Sequence, residues 1–217
     1  MNRSIIKLEN VSFGYNERLI LDGISFELKR GERVGLVGPN GSGKTTLLYI
    51  IMGFLKPLNG KLIIFGKERK EEKDFLEVRR RIGFLFQDSD SQLFCPSVKE
   101  DIAFGPFNLG KKREEVLKIV EETAEIFGIK HLLDRAPYKL SGGEKKLVAF
   151  ATVAAMNPEC YLLDEPSTGL DEETKIKIKD FLLNRTDTYL IVSHDKEFLF
   201  EVTDKIYSLK KGKLINF

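Results

Sequence analysis

The chain has 217 residues, of which 42% are hydrophobic and 31% charged, and this is the composition of a globular protein with room for one sizeable core. Its net charge of +2, from 35 basic and 33 acidic side chains, gives no overall field that favours nucleic acid, so no nucleic-acid partner is predicted. The longest apolar runs stay well short of the roughly 18 residues that span a membrane, and neither the two cysteines nor the two histidines show metal-ligand spacing.

The first part of the chain is predicted to form short strands around one glycine-rich loop. Alternating apolar residues over 5–13 and 20–28 predict two strands joined by a turn at residues 14–16. Residues 33–37 form a short apolar run, typical of a buried parallel strand, and the loop that follows leads into a helix ending near Gly53. Further strands are predicted over residues 60–66 and 79–87.

The pattern changes after residue 87 and returns near residue 158. Residues 88–110 read as loop because they contain Pro96, Gly105, Pro106 and Gly110, and two helices are predicted next, over 111–127 and, after the SGG stretch, over 144–156. Strands are then predicted at 160–165 and 189–195, helices at 174–184 and 196–204, and last a hairpin that turns at residues 211–212.

This alternation predicts an α/β fold with a mostly parallel sheet, an N-terminal antiparallel β subdomain and an inserted helical subdomain. We expect one domain over residues 1–217. Residues 1–87 and 158–217 would form the α/β core with the β subdomain, and residues 88–157 the helical subdomain.

The glycine-rich stretch GPNGSGKT matches the P-loop pattern G-x-x-x-x-G-K-[ST] and has a predicted strand before it and a helix after it. Its glycines let backbone N–H groups converge on a nucleotide phosphate. Lys44 is predicted to reach the β- and γ-phosphates, Thr45 to bind Mg²⁺ and Thr46 to touch the α-phosphate. An ordinary glycine-rich turn does not require a match at every constrained position. The residues predicted to bind the nucleotide here are Gly38, Pro39, Asn40, Gly41, Ser42, Gly43, Lys44, Thr45 and Thr46.

Two acids follow the apolar strand in YLLDEP. Asp164 would orient the Mg²⁺ shell, and Glu165, one residue further, could polarise a water at the γ-phosphate. The alternative is a strand that ends in solvated acids, which the P-loop makes less attractive.

Three further side chains have two interpretations each. His194 ends a strand and could donate to the γ-phosphate or be structural. Gln87 could reach Mg²⁺ or the attacking water, or only open a loop. Tyr15 could stack on an adenine or pack on the sheet.

A second helix start, KLSGGEKKLV at 139–148, also suits an anion, because free N–H groups and the positive end of the helix dipole meet there. One chain would then carry two phosphate-binding helix starts.

Together these motifs resemble the ATP-binding cassette family over essentially the whole chain. The order is Tyr15, the P-loop, Gln87, LSGGE at 140–144, YLLDE at 161–165, STGLD at 167–171 and His194. The resemblance implies a P-loop NTPase cassette that hydrolyses ATP with Mg²⁺ as a dimer of two cassettes.

The same resemblance implies a role for each motif residue. Tyr15 stacks on adenine, Glu165 is the general base, His194 senses the γ-phosphate, and Gln87 with Thr45 and Asp164 serves Mg²⁺. The signature residues that close over the partner's ATP are Leu140, Ser141, Gly142, Gly143 and Glu144, and the D-loop residues at the subunit interface are Ser167, Thr168, Gly169, Leu170 and Asp171.

Residues 86–110 resemble, more narrowly, the ATPase subunits of energy-coupling-factor importers and of cobalt and nickel transporters. This likeness implies an importer of a vitamin or metal ion, with the chain peripheral on the cytoplasmic face of the membrane and docked to an integral membrane subunit. The alternative is a soluble cassette ATPase, such as one for iron–sulfur assembly. The predicted docking residues are Gln92, Phe94, Asp101, Phe104 and Pro106.

Two departures from the family pattern fall in the signature. Glu144 stands where Gln is usual, and Leu147 where Arg is common. A carboxylate near a neighbour's γ-phosphate adds negative charge, so we expect a contact that is weaker or relies on the nearby Lys145 and Lys146, and we slightly favour a heterodimer over a homodimer.

Overall fold

The computed structural model of the chain describes residues 4–16 and 18–217, which form ten strands in two sheets and seven α-helices. The strands are β1 (Ser4–Tyr15), β2 (Arg18–Lys29), β3 (Arg33–Val37), β4 (Asn59–Ile64), β5 (Lys67–Glu68), β6 (Ile82–Leu85), β7 (Cys160–Asp164), β8 (Tyr189–Val192), β9 (Lys205–Lys210) and β10 (Lys213–Asn216). The helices are α1 (Lys44–Ile51), α2 (Phe75–Arg81), α3 (Val98–Asn108), α4 (Arg113–Ile126), α5 (Gly142–Ala155), α6 (Glu172–Arg185) and α7 (Lys196–Val202).

The first sheet is the antiparallel subdomain that the sequence predicts. Its strand order is β2-β1-β4-β5, and Leu8 pairs with Phe26 on one side of β1 and with Leu62 on the other. The turn between β1 and β2 begins at Asn16, and its next residue, Glu17, lies outside the described residues.

The second sheet confirms the prediction of a mostly parallel core. Its order is β10-β9-β3-β8-β7-β6, and all neighbours are parallel except the closing hairpin of β9 and β10. The carboxyl ends of β3, β8, β7 and β6 therefore lie side by side at one edge. Ligands bind at this edge in open α/β sheets, and the P-loop, Gln87, the pair Asp164–Glu165 and His194 each follow one of these strands or end it.

Apolar layers cover both faces of the parallel sheet. One face packs with α1 against the antiparallel sheet, and the other packs against α3 to α7. All four residues of β8 are buried, since neither face of this strand meets water. No helix among the described residues is long and apolar enough to cross a bilayer.

Two predicted elements need correction. The strand predicted over 79–87 begins only at Ile82, because Arg79 to Arg81 form the last turn of α2. There the Arg79 guanidinium donates to the carbonyls of Met52 (3.2 Å) and Gly53 (3.2 Å), which fixes it as part of the helix.

The prediction of a loop over residues 88–110 is also wrong, since α3 occupies its second half with Pro106 inside the helix. Packing explains the glycine at position 105, because a Cβ there would lie 2.6 Å from Cγ of Met156, just past the end of α5. Close contact between the two helices therefore outweighs the weak helix propensity of Gly and Pro. The predicted division of the chain at residues 88 and 157 stays a prediction.

Candidate functional site

The P-loop wraps from the end of β3 into the start of α1. The Lys44 side chain is buried and donates from Nζ to the carbonyls of Gly38 (2.9 Å) and Pro39 (3.2 Å). Gly43 precedes the helix with φ 102°, and a Cβ there would come within 2.9 Å of the side chains of Ile20 and Leu21. Side chains of the antiparallel sheet therefore pack directly against the loop at Gly43, and only glycine fits at this position.

Asp164 meets the P-loop across β8. Its Oδ2 accepts a hydrogen bond from Oγ1 of Thr45 at 2.7 Å, whereas its Oδ1 is buried and has no hydrogen-bond partner among residues 4–16 and 18–217. Burial raises the pKa of Asp164, and the hydrogen bond from Thr45 opposes that rise. The Oδ1 atom is therefore available as a metal ligand beside the Thr45 hydroxyl, and hard cations prefer oxygen ligands of this kind. Asp164 and Thr45 thus fit the predicted Mg²⁺ role.

The described residues contain no group of three or more His, Cys, Asp and Glu side chains that could hold a metal ion by themselves. This agrees with the donor set at Asp164, because Mg²⁺ in nucleotide sites is held by one or two carboxylates together with substrate phosphates. Thr45 and Asp164 would supply the protein's share.

Glu165 lies one residue beyond Asp164 in the left-handed region (φ 51°) and is 7% exposed. Four groups surround its Oε2, and three of them are donors: Thr168 Oγ1 (2.9 Å), Ser193 Oγ (3.3 Å) and the His194 N–H (3.3 Å). The fourth is His194 Nδ1 at 2.9 Å, on a side chain that is 63% exposed. The carboxylate is therefore held in one orientation, with the imidazole at the solvent side.

Gln87 and Tyr15 both present exposed side chains. Gln87 follows β6, the strand next to β7, and its side chain is exposed. Tyr15 ends β1 with 52% exposure and packs edge-on against Phe13, at 4.9 Å between ring centroids. Both are free to contact a nucleotide or its metal ion, and their predicted roles stay predictions.

The signature stretch forms the start of the 14-residue helix α5. Ser141 and Glu144 make a reciprocal cap: the Glu144 carboxylate accepts from the N–H and the hydroxyl of Ser141 (both 2.8 Å), and the Glu144 N–H donates to that hydroxyl (3.3 Å). These bonds lower the pKa of Glu144, and Arg135 lies 3.9 Å away. The charge of Glu144 is thus offset within the chain, which weakens our reason for favouring a heterodimer.

Leu140 and the D-loop divide into buried and exposed parts. Leu140 is 7% exposed and packs in the core, so its predicted contact with a partner needs correction to an anchoring role. Ser167 is buried, with an unpartnered hydroxyl. Gly169 is exposed, and Asp171 caps α6 by accepting from the Thr174 N–H at 2.8 Å, which lowers the pKa of Asp171.

The predicted docking set also divides. Phe94 and Phe104 are 64% and 47% exposed and pack edge to face at 4.8 Å. Asp101 is buried instead, accepting from the N–H groups of Phe94 (3.1 Å) and Cys95 (3.0 Å), and Pro106 is buried within α3. For these two residues the prediction of direct contact is wrong, because they support the surface from inside.

Gln92, the fifth predicted docking residue, is likewise committed within the chain. Its amide donates to the Ala149 carbonyl (2.8 Å) and to Thr152 Oγ1 (2.9 Å), and its Oε1 accepts from the Phe86 N–H (3.2 Å). It ties the end of β6 to α5.

Sequence reasoning missed Ser193 and placed Lys146 at the partner's phosphate, whereas Lys146 is buried within the chain. Ser193 donates to Glu165, and a polar residue directly after an apolar strand was the available signal. Lys146 is 5% exposed on α5, and its ammonium donates to the carbonyls of Phe86 (3.3 Å) and Gln87 (2.5 Å). Its place on the apolar face that contains Phe150 could have shown that it points inward.

Comparisons with known proteins agree with this geometry. The family model described as ABC transporter matches residues 21–168. The energy-coupling factor transporter ATP-binding protein EcfA of Methanothermobacter thermautotrophicus is 44% identical, with 97% of this chain and 70% of that protein aligned. A putative ABC transporter ATP-binding protein of Brucella suis is 43% identical, with 98% and 89% aligned.

Solved structures give the same result. The structure of cbiO1 of Clostridium perfringens, described as part of the ABC transporter complex cbiONQ, superimposes with a TM-score of 0.87 at 35% identity, over 99% of this chain and 88% of that one. A dimeric ATP-binding cassette in a post-hydrolysis state with ADP and Pi gives 0.85 at 27% identity, over 98% of both chains. The chain therefore belongs to the ABC transporter family and is one of its ATP-hydrolysing cassettes.

Proposed function

We propose that the chain is the ATPase subunit of an energy-coupling-factor-type importer, powering uptake of a vitamin or metal ion through a membrane subunit. The exposed aromatic pair on the segment that follows Gln87 carries this proposal, because it joins a surface suited to a partner to the ATP site. The names of the relatives EcfA and cbiO1 support the same class.

In the proposed reaction, water attacks the γ-phosphorus of ATP and the bond to the β–γ bridging oxygen breaks. Glu165 accepts the proton of the attacking water, with its carboxylate held by the donors at Oε2. Lys44 and the N–H groups of the P-loop hold the phosphates, and Tyr15 covers the adenine. When bound, Mg²⁺ at Thr45 and Asp164 supplies charge stabilisation of the phosphates.

The start of α5 supports the second half of the proposal, a site completed by another cassette. A Cβ at Gly142 would meet nothing within 4 Å, and one at Gly143 would meet only Leu170, at 3.9 Å. Packing within the chain therefore does not require these two glycines. We infer that they leave room for the phosphate of a partner subunit's ATP, which the N–H groups of the helix start would bind.

Replacing Gly142 with Asp tests this inference. We expect turnover to fall by about tenfold, because a carboxylate near the partner's phosphate adds roughly 1.4 kcal/mol of repulsion. Thermal stability should stay equal or rise, since Asp is favourable in the first turn of a helix. ATPase rates and melting curves of Gly142→Asp and Gly142→Ala would be compared with those of the wild type, and a Gly142→Asp rate equal to the wild-type rate would contradict the inference.

Phe94 and Phe104 give a test of the membrane partner. A Phe94→Ser/Phe104→Ser double variant should lose co-purification with the membrane subunit, because truncating a central aromatic anchor costs at least about 2 kcal/mol, or roughly 30-fold in affinity. Leu117→Ser is the matched control, since Leu117 is 56% exposed on α4. ATP binding of both variants should match the wild type.

Two outcomes would contradict the proposal that the chain serves an importer. One is retention of the membrane subunit by the double variant, and the other is purification of the wild type without any integral membrane protein. The second outcome would favour the soluble cassette ATPase instead.

A further inference from the structure

Lys146 is a buried cation that the proposed reaction does not use. It lies in the first half of α5, and its ammonium donates to the backbone carbonyls of Phe86 and Gln87, where β6 ends. None of the carboxylates in the described residues lies within ion-pair distance of it, although Asp164, Glu165 and Asp88 are near enough to act through their charge. Burial lowers the pKa of Lys146, and these three acids oppose that shift.

A buried ammonium is an unfavourable choice for stability alone. Desolvation costs more than hydrogen bonds to carbonyls return, and an apolar side chain of similar length at such a place is often neutral or stabilising. The lysine must therefore be explained by what it holds in place.

The two residues that it holds connect the ATP site to α5. Gln87 is predicted to serve Mg²⁺, and α5 begins with the proposed phosphate-binding signature. Two other side chains join the same parts: Gln92 bonds to Phe86, Ala149 and Thr152, and Lys145 pairs with Asp90 at 2.6 Å. Gln92 and Lys145 contact Phe86 and Asp90, on either side of Gln87 in the chain, whereas Lys146 donates to the carbonyl of Gln87 itself.

We propose that Lys146 is a positioning residue for ATP hydrolysis, which fixes the backbone of Gln87 to the signature helix so that both move as one body. The inference rests on the role proposed for Gln87 and goes beyond it by identifying what sets its position. A displacement of α5 then carries Gln87 with it.

Lys146→Met in the full chain tests the proposal, because methionine keeps the length of the side chain and removes its donors. We expect kcat to fall by about tenfold, the scale of one hydrogen bond from a charged group, and the Mg²⁺ concentration for half-maximal rate to rise several-fold. ATP affinity measured in EDTA should stay within about twofold of the wild type, and the Tm should be unchanged or higher. A merely structural lysine would give a lower Tm and weaker ATP binding instead.

Two further variants complete the test. Lys146→Gln retains a side-chain donor and should hydrolyse ATP at a rate between those of Lys146→Met and the wild type. Lys99→Met, which removes an exposed lysine paired with Asp134, should match the wild type throughout.

The proposal is overturned by a Lys146→Met rate equal to the wild type, by a rate loss that follows a loss of Tm, or by a Lys146→Gln rate as low as that of Lys146→Met. A wild-type chain that does not hydrolyse Mg-ATP contradicts the proposed function itself and is thus distinguishable.

Discussion

Replacing Glu165 with Gln should slow ATP hydrolysis by about 10²–10⁴-fold while ATP binding remains, because an amide cannot accept the proton of the attacking water. Glutamine has the shape of glutamate, and its amide oxygen can take the place of Oε2 among Thr168, Ser193 and the His194 N–H. The surrounding structure should therefore persist. Measurements of phosphate release over time would give the loss of turnover, and equilibrium binding of ATP would show whether binding is retained.

The matched control for this variant is Glu173→Gln. Glu173 is an exposed acid in the first turn of α6 and pairs with the Lys177 ammonium (2.9 Å), so its loss should leave turnover unchanged. A Glu165→Gln rate near that of the wild type would falsify the assignment of the general base. A parallel loss of ATP binding would show instead that the carboxylate shapes the site.

The predictable parts of the site are those in which an apolar strand is followed directly in the sequence by its polar site residues. Parallel strands bring their carboxyl ends to one edge, so an apolar run followed by Asp164 and Glu165, or by His194, could be placed beside the P-loop without coordinates. Local sequence supplies both the strand and the polar residue after it. The fold class followed from the same alternation of strands and helices.

The parts that could not be predicted depend on contacts between distant residues. Helix α3 contains Gly105 and Pro106, which locally indicate a loop, but packing against Met156 decides the outcome. Likewise, the sequence does not show that Lys146 and Gln92 turn inward to the end of β6, because that depends on how α5 lies over the sheet. Propensity and spacing describe neighbours in the chain, whereas these contacts join residues about sixty positions apart.

Replacing Lys44 with Ala should weaken ATP binding by about 10²-fold. Two hydrogen bonds from an ammonium to phosphate, at about 1.5 kcal/mol each, are lost, and each 1.4 kcal/mol changes affinity by tenfold. Isothermal titration with ATP in EDTA would measure the loss without any contribution from hydrolysis. The rise in Tm that ATP gives the wild type should shrink correspondingly at fixed ATP concentration.

This variant has a second effect that must be separated from the first. The ammonium donates to the carbonyls of Gly38 and Pro39, so its removal also loosens the loop that supplies the N–H groups. Lys44→Met keeps the buried stem of the side chain and removes the donors, so it separates the loss of packing from the loss of hydrogen bonds, and the Tm without nucleotide reports whether the loop has loosened. Lys118→Ala, at a lysine with 75% side-chain exposure on α4, is the control for a lost positive charge.

If Lys44→Met binds ATP as tightly as the wild type, the ammonium does not bind phosphate and the affinity of the P-loop comes from its backbone. If Lys44→Met and Lys44→Ala are equally weak while both chains keep their Tm without nucleotide, the loss is that of the charge at the phosphates.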